Sequence, residues 1–181
     1  EADLLPRLDA MGEGDVLIGL PSSGLHTNGY SLARKVCFEL DGLDVNDELP
    51  GTGRTVANAL LAVHRSYLAQ LLPLVKAHKL VAMAHITGGG LTDNIPRVLP
   101  DHLDAAIDTA SWAIPPLFTH LMDKGGLPLE DARRSFNLGV GMVLIVKAER
   151  AADVLAELHS QEEPAWVMGR LVPGSGKVVY P

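Results

Sequence analysis

The chain has 181 residues, of which 47% are apolar and 20% charged, a composition ordinary for a soluble globular domain. Its 15 basic and 22 acidic residues give a net charge of −7 without a block of one sign. This argues against a nucleic-acid-binding protein but leaves room for a local phosphate pocket. The longest apolar run, Val140–Val146, is far shorter than the roughly 18 residues needed to cross a bilayer, so we expect no membrane span.

Cys37 is the single cysteine, which excludes a disulfide within the chain and favours a reducing cytoplasm. Its apolar surroundings in sequence predict a buried small residue rather than a nucleophile. Residues 1–11 are acidic and are broken by Pro6, so they do not resemble a signal peptide. Because position 1 is not Met, we expect the chain to be a piece of a longer protein.

Apolar runs bounded by Gly or Pro predict six strands, at residues 15–20, 80–86, 103–109, 139–147, 165–172 and 177–180. Helical spacing of apolar residues predicts helices at 29–40, 91–98, 115–124, 129–135 and 149–160, the first of them capped by Asn28 or Gly29. The polar, glycine-rich residues 41–53 predict a connection. We therefore predict an α/β (α+β) fold, a layered α/β/α domain with a mixed sheet and a partly ferredoxin-like second half.

The longest predicted helix begins at Thr55 and carries an apolar stripe to Leu72. On that stripe His64 faces the packed side. Its polar atoms therefore need a partner, or the ring borders a ligand cleft. Pro73 is expected to kink or restart the helix.

The first candidate site is the segment from Ser22 to Ser31, which we call the histidine loop (residues 22–31). It places hydroxyls, the His26 imidazole, the Asn28 amide and two glycines between a strand and a helix, where anion sites are common. The alternative is a capped turn with Asn28 as the cap and His26 on the surface. Both interpretations stay open at this stage.

The second candidate is Thr87 with the three glycines that follow it, the glycine turn (residues 87–90). Three glycines allow a ligand to approach the backbone, and free N–H groups can hold a phosphate. Because consecutive glycines cost conformational entropy on folding, a functional reason is favoured over a flexible turn. His85, just before the turn, could be a core histidine.

The third candidate is the Phe-Asn segment (residues 136–142). Gly139 and Gly141 share a strand face, which would admit a ligand or a neighbouring backbone, so packing and binding both remain open. Asn137 is the one polar side chain there that could reach a ligand. The seven histidines are scattered along the chain without metal-ligand spacing, so we predict no metal site.

Three stretches carry a resemblance: GDVLIGLPSSGLHTNGYSLAR (residues 14–34), AHITGGGLTDNIPRVLP (84–100) and FNLGVGM (136–142). In order and spacing they resemble aminoimidazole ribonucleotide synthetase over essentially the whole chain. Selenophosphate synthetase, thiamine-monophosphate kinase, the hydrogenase maturation factor and formylglycinamidine ribonucleotide amidotransferase share the architecture but match these stretches less well.

The resemblance implies an ATP-dependent cyclo-ligase of purine biosynthesis, which uses Mg²⁺ and converts formylglycinamidine ribonucleotide to aminoimidazole ribonucleotide, ADP and phosphate. The family enzyme is a homodimer of two-domain subunits, and its amino-terminal half carries an Asp-Gly-Val-Gly-Thr-Lys motif with much of the ATP site. That motif is absent here. Residues 1–181 are therefore expected to be the carboxyl-terminal domain, which folds alone but needs the amino-terminal half for turnover.

We expect His26 and Asn28 to act in catalysis by hydrogen bonding rather than covalently. We expect the phosphoribosyl substrate or its phosphate to be bound by Ser23, Gly24, Ser31, Arg65, Thr87, Gly88, Gly89, Gly90 and Asn137. Two other classes stay open: a sister ATP-dependent synthetase or kinase, and a phosphate-binding module without catalysis.

One stretch departs from the family pattern. The family has Leu-Leu-x-Pro-Thr-Arg-Ile-Tyr at positions 60–67, and this chain keeps Arg65 and Tyr67 but has Val63 and His64 in place of Pro and Thr. The resemblance therefore assigns no role to these two residues.

Overall fold

The computed structural model describes residues 4–181, so the first three residues of the acidic segment 1–11 lie outside the described part. Its six-stranded sheet contains every strand predicted from the sequence. In chain order the strands are β1 (Val16–Pro21), β2 (Glu48–Leu49), β3 (Arg54–Thr55), β4 (Ala82–His85), β5 (Leu103–Ile107), β6 (Val140–Val146), β7 (Trp166–Pro173) and β8 (Val178–Val179). β2 and β3 form a separate small hairpin within the predicted connection and just beyond it.

Seven α-helices surround the sheet in the described part. They are α1 (Tyr30–Arg34), α2 (Val56–Leu60), α3 (Leu68–Lys76), α4 (Gly90–Asn94), α5 (Pro116–Gly125), α6 (Leu129–Ser135) and α7 (Ala151–Ser160). α1 continues as a π-helix over Lys35–Leu40, and α4 continues as a 3-10 turn over Ile95–Val98. The longest of these helices have 10 residues, and no helix in residues 4–181 is long and apolar enough to cross a membrane.

The strand order in the sheet is β4-β6-β1-β7-β5-β8. All neighbours are antiparallel except β5 and β8, so the sheet is mixed, as predicted. The units β4-α4-β5 and β6-α7-β7 are both split β-α-β units, the kind from which ferredoxin-like folds are built, and the second is nested inside the first because β6 and β7 both lie between β4 and β5. β1 is inserted at their centre, which widens the sheet beyond that core.

Helices cover both faces of the sheet, which confirms the layered arrangement. Alternation along β1 sends Leu17 to a core shared with α4, and Ile18 and Leu20 to a core shared with α3 and α7. A third core joins α1, α2, α5 and α6 and includes the fully buried Cys37. The loops that lead from the sheet into this helical region carry the candidate site.

The single long helix predicted from Thr55 to Leu72 is wrong. α2 ends at Leu60, and residues 62–67 run without helix before α3 begins at Leu68. Tertiary contacts override helix propensity here, because the Tyr67 hydroxyl donates to the Pro21 carbonyl (2.7 Å) and Arg65 pairs with the buried Glu163. Val63, left without a packing surface, is 85% exposed.

Two details of the other helices also differ from expectation. Pro73 lies inside α3 instead of interrupting it; the carbonyl that its missing N–H would have bonded belongs to the exposed Ala69, where water can replace it. In the helix from residue 30 to 40 the inner face is Ala33, Val36 and Cys37, and the change to π-helical winding leaves Leu40 exposed.

Candidate functional site

The three polar segments singled out in the sequence lie together at one end of the sheet. The Ser22 backbone N–H donates to the Gly139 carbonyl (2.9 Å), which joins the histidine loop to the Phe-Asn segment. A Cβ atom placed on Gly88 would lie 3.3 Å from the Asn28 Oδ1 atom, so the glycine turn adjoins the same loop. The histidine loop and the glycine turn therefore lie side by side at the same end of the sheet.

The histidine loop is held in an unfavourable backbone conformation. His26 and Thr27 have φ values of 51° and 65°, in the left-handed region that residues with a Cβ seldom adopt. Position 29 (φ 72°) requires glycine, because a Cβ there would meet the Phe136 ring at 2.4 Å. Such strain costs on the order of 1–3 kcal/mol per residue and is concentrated at functional sites. Nothing in the local sequence pattern indicated it at His26.

Three histidines from distant parts of the chain meet beside this loop. The rings of His26 and His64 stack with centroids 4.2 Å apart and an angle of 19° between their planes. The His64 Nε2 atom lies 2.9 Å from the His85 Nε2 atom. His26 is only 1% exposed, which contradicts the surface position required by the capped-turn alternative. We call His26, His64 and His85 the histidine cluster.

Burial, with smaller contributions from nearby His64, His85 and Arg65, lowers the pKa of His26 to about 4. His26 is therefore neutral at pH 7. The Ser23 backbone N–H donates to its Nε2 atom (2.9 Å), which places the ring proton on Nδ1. Within residues 4–181 this buried Nδ1 has no hydrogen-bond partner. Burial, followed by the charge of His64, also lowers the pKa of His85.

Asn28 does not cap α1. That helix begins after Gly29 without a side-chain cap, and the Asn28 amide instead donates to the His26 carbonyl (2.7 Å). Its Oδ1 atom is left facing the glycine turn. Ser23 bridges the loop to the segment after α2, because its hydroxyl donates to the Val63 carbonyl (2.6 Å). Ser31 lies exposed in the first turn of α1.

Asn137 lies at the base of the site and is 2% exposed. Its Oδ1 atom accepts from the Ser22 hydroxyl and from the Gly139 N–H, both at 2.9 Å, and its amide donates to the Gly24 carbonyl (2.8 Å). These bonds occupy the groups that were expected to reach a ligand. The geometry makes Asn137 a clamp that holds the histidine loop in shape.

A second buried asparagine, missed from the sequence, clamps the glycine turn in the same way. The Asn94 amide donates to the carbonyls of Gly88 (3.1 Å) and Gly90 (2.8 Å), and its Oδ1 atom accepts from the Thr87 hydroxyl (3.0 Å). The Thr87 hydroxyl proton is therefore occupied. A signal was present in retrospect: an asparagine four residues after the last glycine can return its side chain to the turn.

The glycine turn presents backbone donors to the site. Among residues 4–181, nothing accepts a hydrogen bond from the N–H groups of Gly88 and Gly89, while the Gly90 N–H donates to the Thr87 carbonyl (3.0 Å). Gly89 (φ 94°) and Gly90 (φ 59°) are left-handed, and a Cβ on Gly90 would meet the Arg133 carbonyl at 1.9 Å. These conformations require glycine.

Arg65, a predicted phosphate ligand, lies at the rim of the site. It forms an ion pair with Glu163, whose side chain is 1% exposed, and its guanidinium carbon lies 5.6 Å from the centre of the Tyr67 ring. Burial raises the pKa of Glu163, and the opposing effect of Arg65 is smaller. The pair fixes Arg65 beside the histidine cluster. Glu163 lies 98 positions away and was not found from the sequence.

A cleft opens on the other side of the histidine loop. It is lined by Ser22, Ser23 and Gly24, by Thr52 and Arg54 of the β2–β3 hairpin, and by the start of α5. Residues 41–53 were predicted to be a connection only. In the structure their end and the start of β3 bring the Thr52 hydroxyl and Arg54 to the polar loop.

Comparison with known proteins identifies the family of this chain. The sequence profile of the family described as AIR synthase related protein, C-terminal domain, matches residues 12–181. The phosphoribosylformylglycinamidine cyclo-ligase of Shouchella clausii is 46% identical over 166 residues, which cover 92% of this chain and 48% of that protein. The enzyme of the same name from Bacillus subtilis is 44% identical over 176 residues, covering 97% and 51%.

Among solved structures, thiamine-monophosphate kinase from Stenotrophomonas maltophilia has the same fold, with a TM-score of 0.62 at 15% identity over 93% of this chain and 50% of that one. The chain spans about half the length of the curated relatives it matches. Since the family profile covers nearly every residue, and the motifs that carry the resemblance build one site, the chain belongs to the AIR synthase related family through the carboxyl-terminal domain.

Proposed function

We propose that this chain is the carboxyl-terminal half of an ATP-dependent cyclo-ligase that closes the imidazole ring of aminoimidazole ribonucleotide. The observation that carries the proposal is the convergence of the histidine loop, the glycine turn and the Phe-Asn segment on one site. Relatives that match across nearly the whole chain bear the name of this activity. The amino-terminal half would complete the cleft.

The glycine turn is proposed to hold the phosphate of the phosphoribosyl substrate. The Gly88 and Gly89 N–H groups lack internal acceptors among the described residues, and an anion accepts such paired donors well. Arg65 supplies a positive charge nearby, and the exposed hydroxyl of Ser31 could complete the ligand set. Ser23, Thr87 and Asn137, whose polar groups are occupied, would position these groups rather than bind.

His26 and Asn28 are proposed to hydrogen-bond the reacting part of the substrate. A histidine with its pKa near 4 stays neutral at pH 7, so it serves as a fixed donor or acceptor and not as a cationic acid. The His64 ring covers His26 in this structure. Substrate binding would therefore have to displace the His64 ring, which lies on the non-helical segment and is only half-buried.

ATP and Mg²⁺ complete the proposed reaction, and the residues at this site do not fit the metal. Mg²⁺ prefers oxygen ligands in octahedral geometry, chiefly carboxylates and phosphate. The described site offers imidazoles, amides and hydroxyls, with Asp93 as a single exposed carboxylate beside Gly89. We place Mg²⁺ and most of the ATP contacts on the amino-terminal half. A homodimer in a reducing cytoplasm, where Cys37 stays free, belongs to the same proposal.

The test is to assay ring closure with the chain alone and with the amino-terminal half of a relative supplied. The chain has three apolar cores of its own, so we expect a cooperative thermal transition but no ATP-dependent turnover in isolation. Adding the second half should restore activity. Turnover of formylglycinamidine ribonucleotide by the isolated chain would overturn this division of roles. Binding of substrate without turnover in the reconstituted enzyme would favour a sister enzyme or a binding module.

A further inference from the structure

The histidine cluster has a property that the proposed ring closure does not use. Each of its three members offers a ring nitrogen, and these nitrogens all lie within 4.8 Å of one another. The positions are 26, 64 and 85, and the spacing between them resembles no metal motif. Only the fold brings them together, since they come from the histidine loop, the non-helical segment after α2 and the end of β4.

The distances are close to those of a tetrahedral metal site. With metal–nitrogen bonds of about 2.0–2.1 Å, two ligand nitrogens lie roughly 3.3 Å apart. The His64 and His85 Nε2 atoms, now 2.9 Å apart, would have to separate by only a few tenths of an ångström. The stacked His26 ring faces His64 rather than sharing its plane, so one ring must turn. His64 is half-buried and His85 is exposed, which leaves both with room to move.

The hydrogen bonds around the cluster also suit metal ligands. The buried Nδ1 atom of His26 has no partner among the described residues, and an unpaired buried polar atom costs about 1–3 kcal/mol. The Ser23 hydroxyl donates its proton to the Val63 carbonyl, so toward the His26 Nε2 atom (3.0 Å) it can offer a lone pair. When Nδ1 binds the metal, the ring proton moves from Nδ1 to Nε2 and donates to this oxygen, and the Ser23 backbone N–H, which donates to Nε2 in the metal-free chain, must turn away. An acceptor behind a ligating histidine is the usual outer contact at metal sites.

We propose that His26, His64 and His85 bind one transition-metal ion, with Zn²⁺ as the reference ion, and leave a fourth position for water. This site goes beyond the proposed function, since it needs neither ATP nor the ribonucleotide. Three neutral imidazoles favour Zn²⁺, Co²⁺ or Ni²⁺ over Mg²⁺, which prefers oxygen. On binding, the proton between the His64 and His85 Nε2 atoms moves through solvent to the Nδ1 atom of the ring that carried it, so both rings stay neutral and both Nε2 lone pairs face the metal.

The proposal is tested by titrating the isolated 181-residue chain with Co²⁺ and following the visible absorption of the bound ion, then displacing it with Zn²⁺. We expect one ion per chain and no displacement by millimolar Mg²⁺. Changing an outer contact of a metal site costs about 10–100-fold in affinity, so loss of a direct ligand in His64→Thr should weaken binding by more than about 100-fold. His102→Ala, which removes an exposed histidine remote from the cluster, should bind like the wild type.

Thermal unfolding of His64→Thr without metal checks that the variant is folded, and His85→Asn provides a second, independent loss of a ligand. Absence of saturable Co²⁺ binding by the wild-type chain would overturn the proposal, as would wild-type affinity in both variants. Neither result bears on the proposal that the reconstituted enzyme closes the imidazole ring. Failure of ring closure would in turn leave the proposal of a metal site standing.

Discussion

His26 and Asn137 are equally buried in the same site, but their polar atoms are treated in opposite ways. Asn137 forms three hydrogen bonds that tie the histidine loop to the Phe-Asn segment. His26 sits in a left-handed backbone conformation, has a strongly lowered pKa and leaves its Nδ1 atom unpaired among the described residues. The fold satisfies the hydrogen bonds of Asn137 but leaves His26 strained and with an unpaired ring nitrogen.

The difference separates residues that shape the site from residues that act in it. A buried group whose hydrogen bonds are satisfied adds stability and has nothing left to offer a ligand. A strained, unsatisfied group costs stability and is retained where function requires it. Asn94 belongs with Asn137, since its amide is engaged by the glycine turn, and the free N–H groups of Gly88 and Gly89 belong with His26.

The largest effect is expected from removing the acting groups. In the reconstituted enzyme, His26→Ala and Asn28→Ala should each lower kcat by about 10²–10³, as loss of a positioned hydrogen-bond donor does. The measurement is steady-state ring closure, with the midpoint of thermal unfolding followed in parallel. Rates within about threefold of the wild type, which correspond to less than about 1 kcal/mol, would place both residues among the shaping groups.

Removing a shaping group should show the reverse pattern. Asn137→Ala leaves the Ser22 hydroxyl, the Gly139 N–H and the Gly24 carbonyl without their partner. Since each buried unpaired group costs about 1–3 kcal/mol and water can satisfy some of them, we expect a loss of roughly 2–4 kcal/mol in the free energy of unfolding. Urea denaturation of the isolated chain measures it. If the Asn137→Ala chain is as stable as the wild type but its reconstituted enzyme no longer binds substrate, Asn137 is a substrate ligand.

Acid should destabilise the fold through His26. Its pKa is about 4 when folded and 6.5 in the reference state, so between these values the unfolded chain binds more protons. Stability is therefore fully present above pH 6.5 and is lost as the pH falls toward 4, by at most roughly 3 kcal/mol for this group. The pKa of His85 is also lowered, so its protonation likewise destabilises the folded chain as the pH falls. Urea midpoints from pH 7.5 to 4.5 test this, and His26→Gln should flatten the profile.

A smaller effect is expected at the glycine turn, where the choice of position matters. Gly89→Val is unsuitable as a steric probe because φ is 94° there and a Cβ would meet the Asp93 side chain at 2.6 Å. Gly88 has no such strain, and Gly88→Ala directs a methyl group toward the Asn28 amide oxygen. We expect about tenfold weaker binding of the phosphoribosyl substrate, or ~1.4 kcal/mol, with an unchanged unfolding midpoint.

Calorimetric titration of the reconstituted enzyme measures that affinity. Gly12→Ala is the matched control, since it adds a methyl group at a remote glycine without left-handed strain. Equal affinities for the two variants would remove the turn from the phosphate site.

The smallest effect is expected from Glu163→Gln, which keeps the shape of the side chain and removes the charge that holds Arg65. If the ion pair serves to aim Arg65 at phosphate, KM should rise several-fold while kcat changes little. Glu149→Gln, an exposed change elsewhere, is the control. A fall in the unfolding midpoint with KM unchanged would make the pair structural only.

The amino-acid sequence by itself determined the six strands, most helices, the layered α/β architecture and the three loops that form the site. These features follow from local periodicity and turn chemistry, which are written in neighbouring residues. Only the tertiary structure decided the rest. Contacts between Ser22 and Asn137, 115 positions apart, and between Ser23 and Val63, 40 positions apart, leave no local signal. Such contacts interrupt the helix expected after Thr55, carry His64 to His26 and His85, and turn Asn137 from an expected ligand into a clamp, because packing between distant segments outweighs the propensity of each.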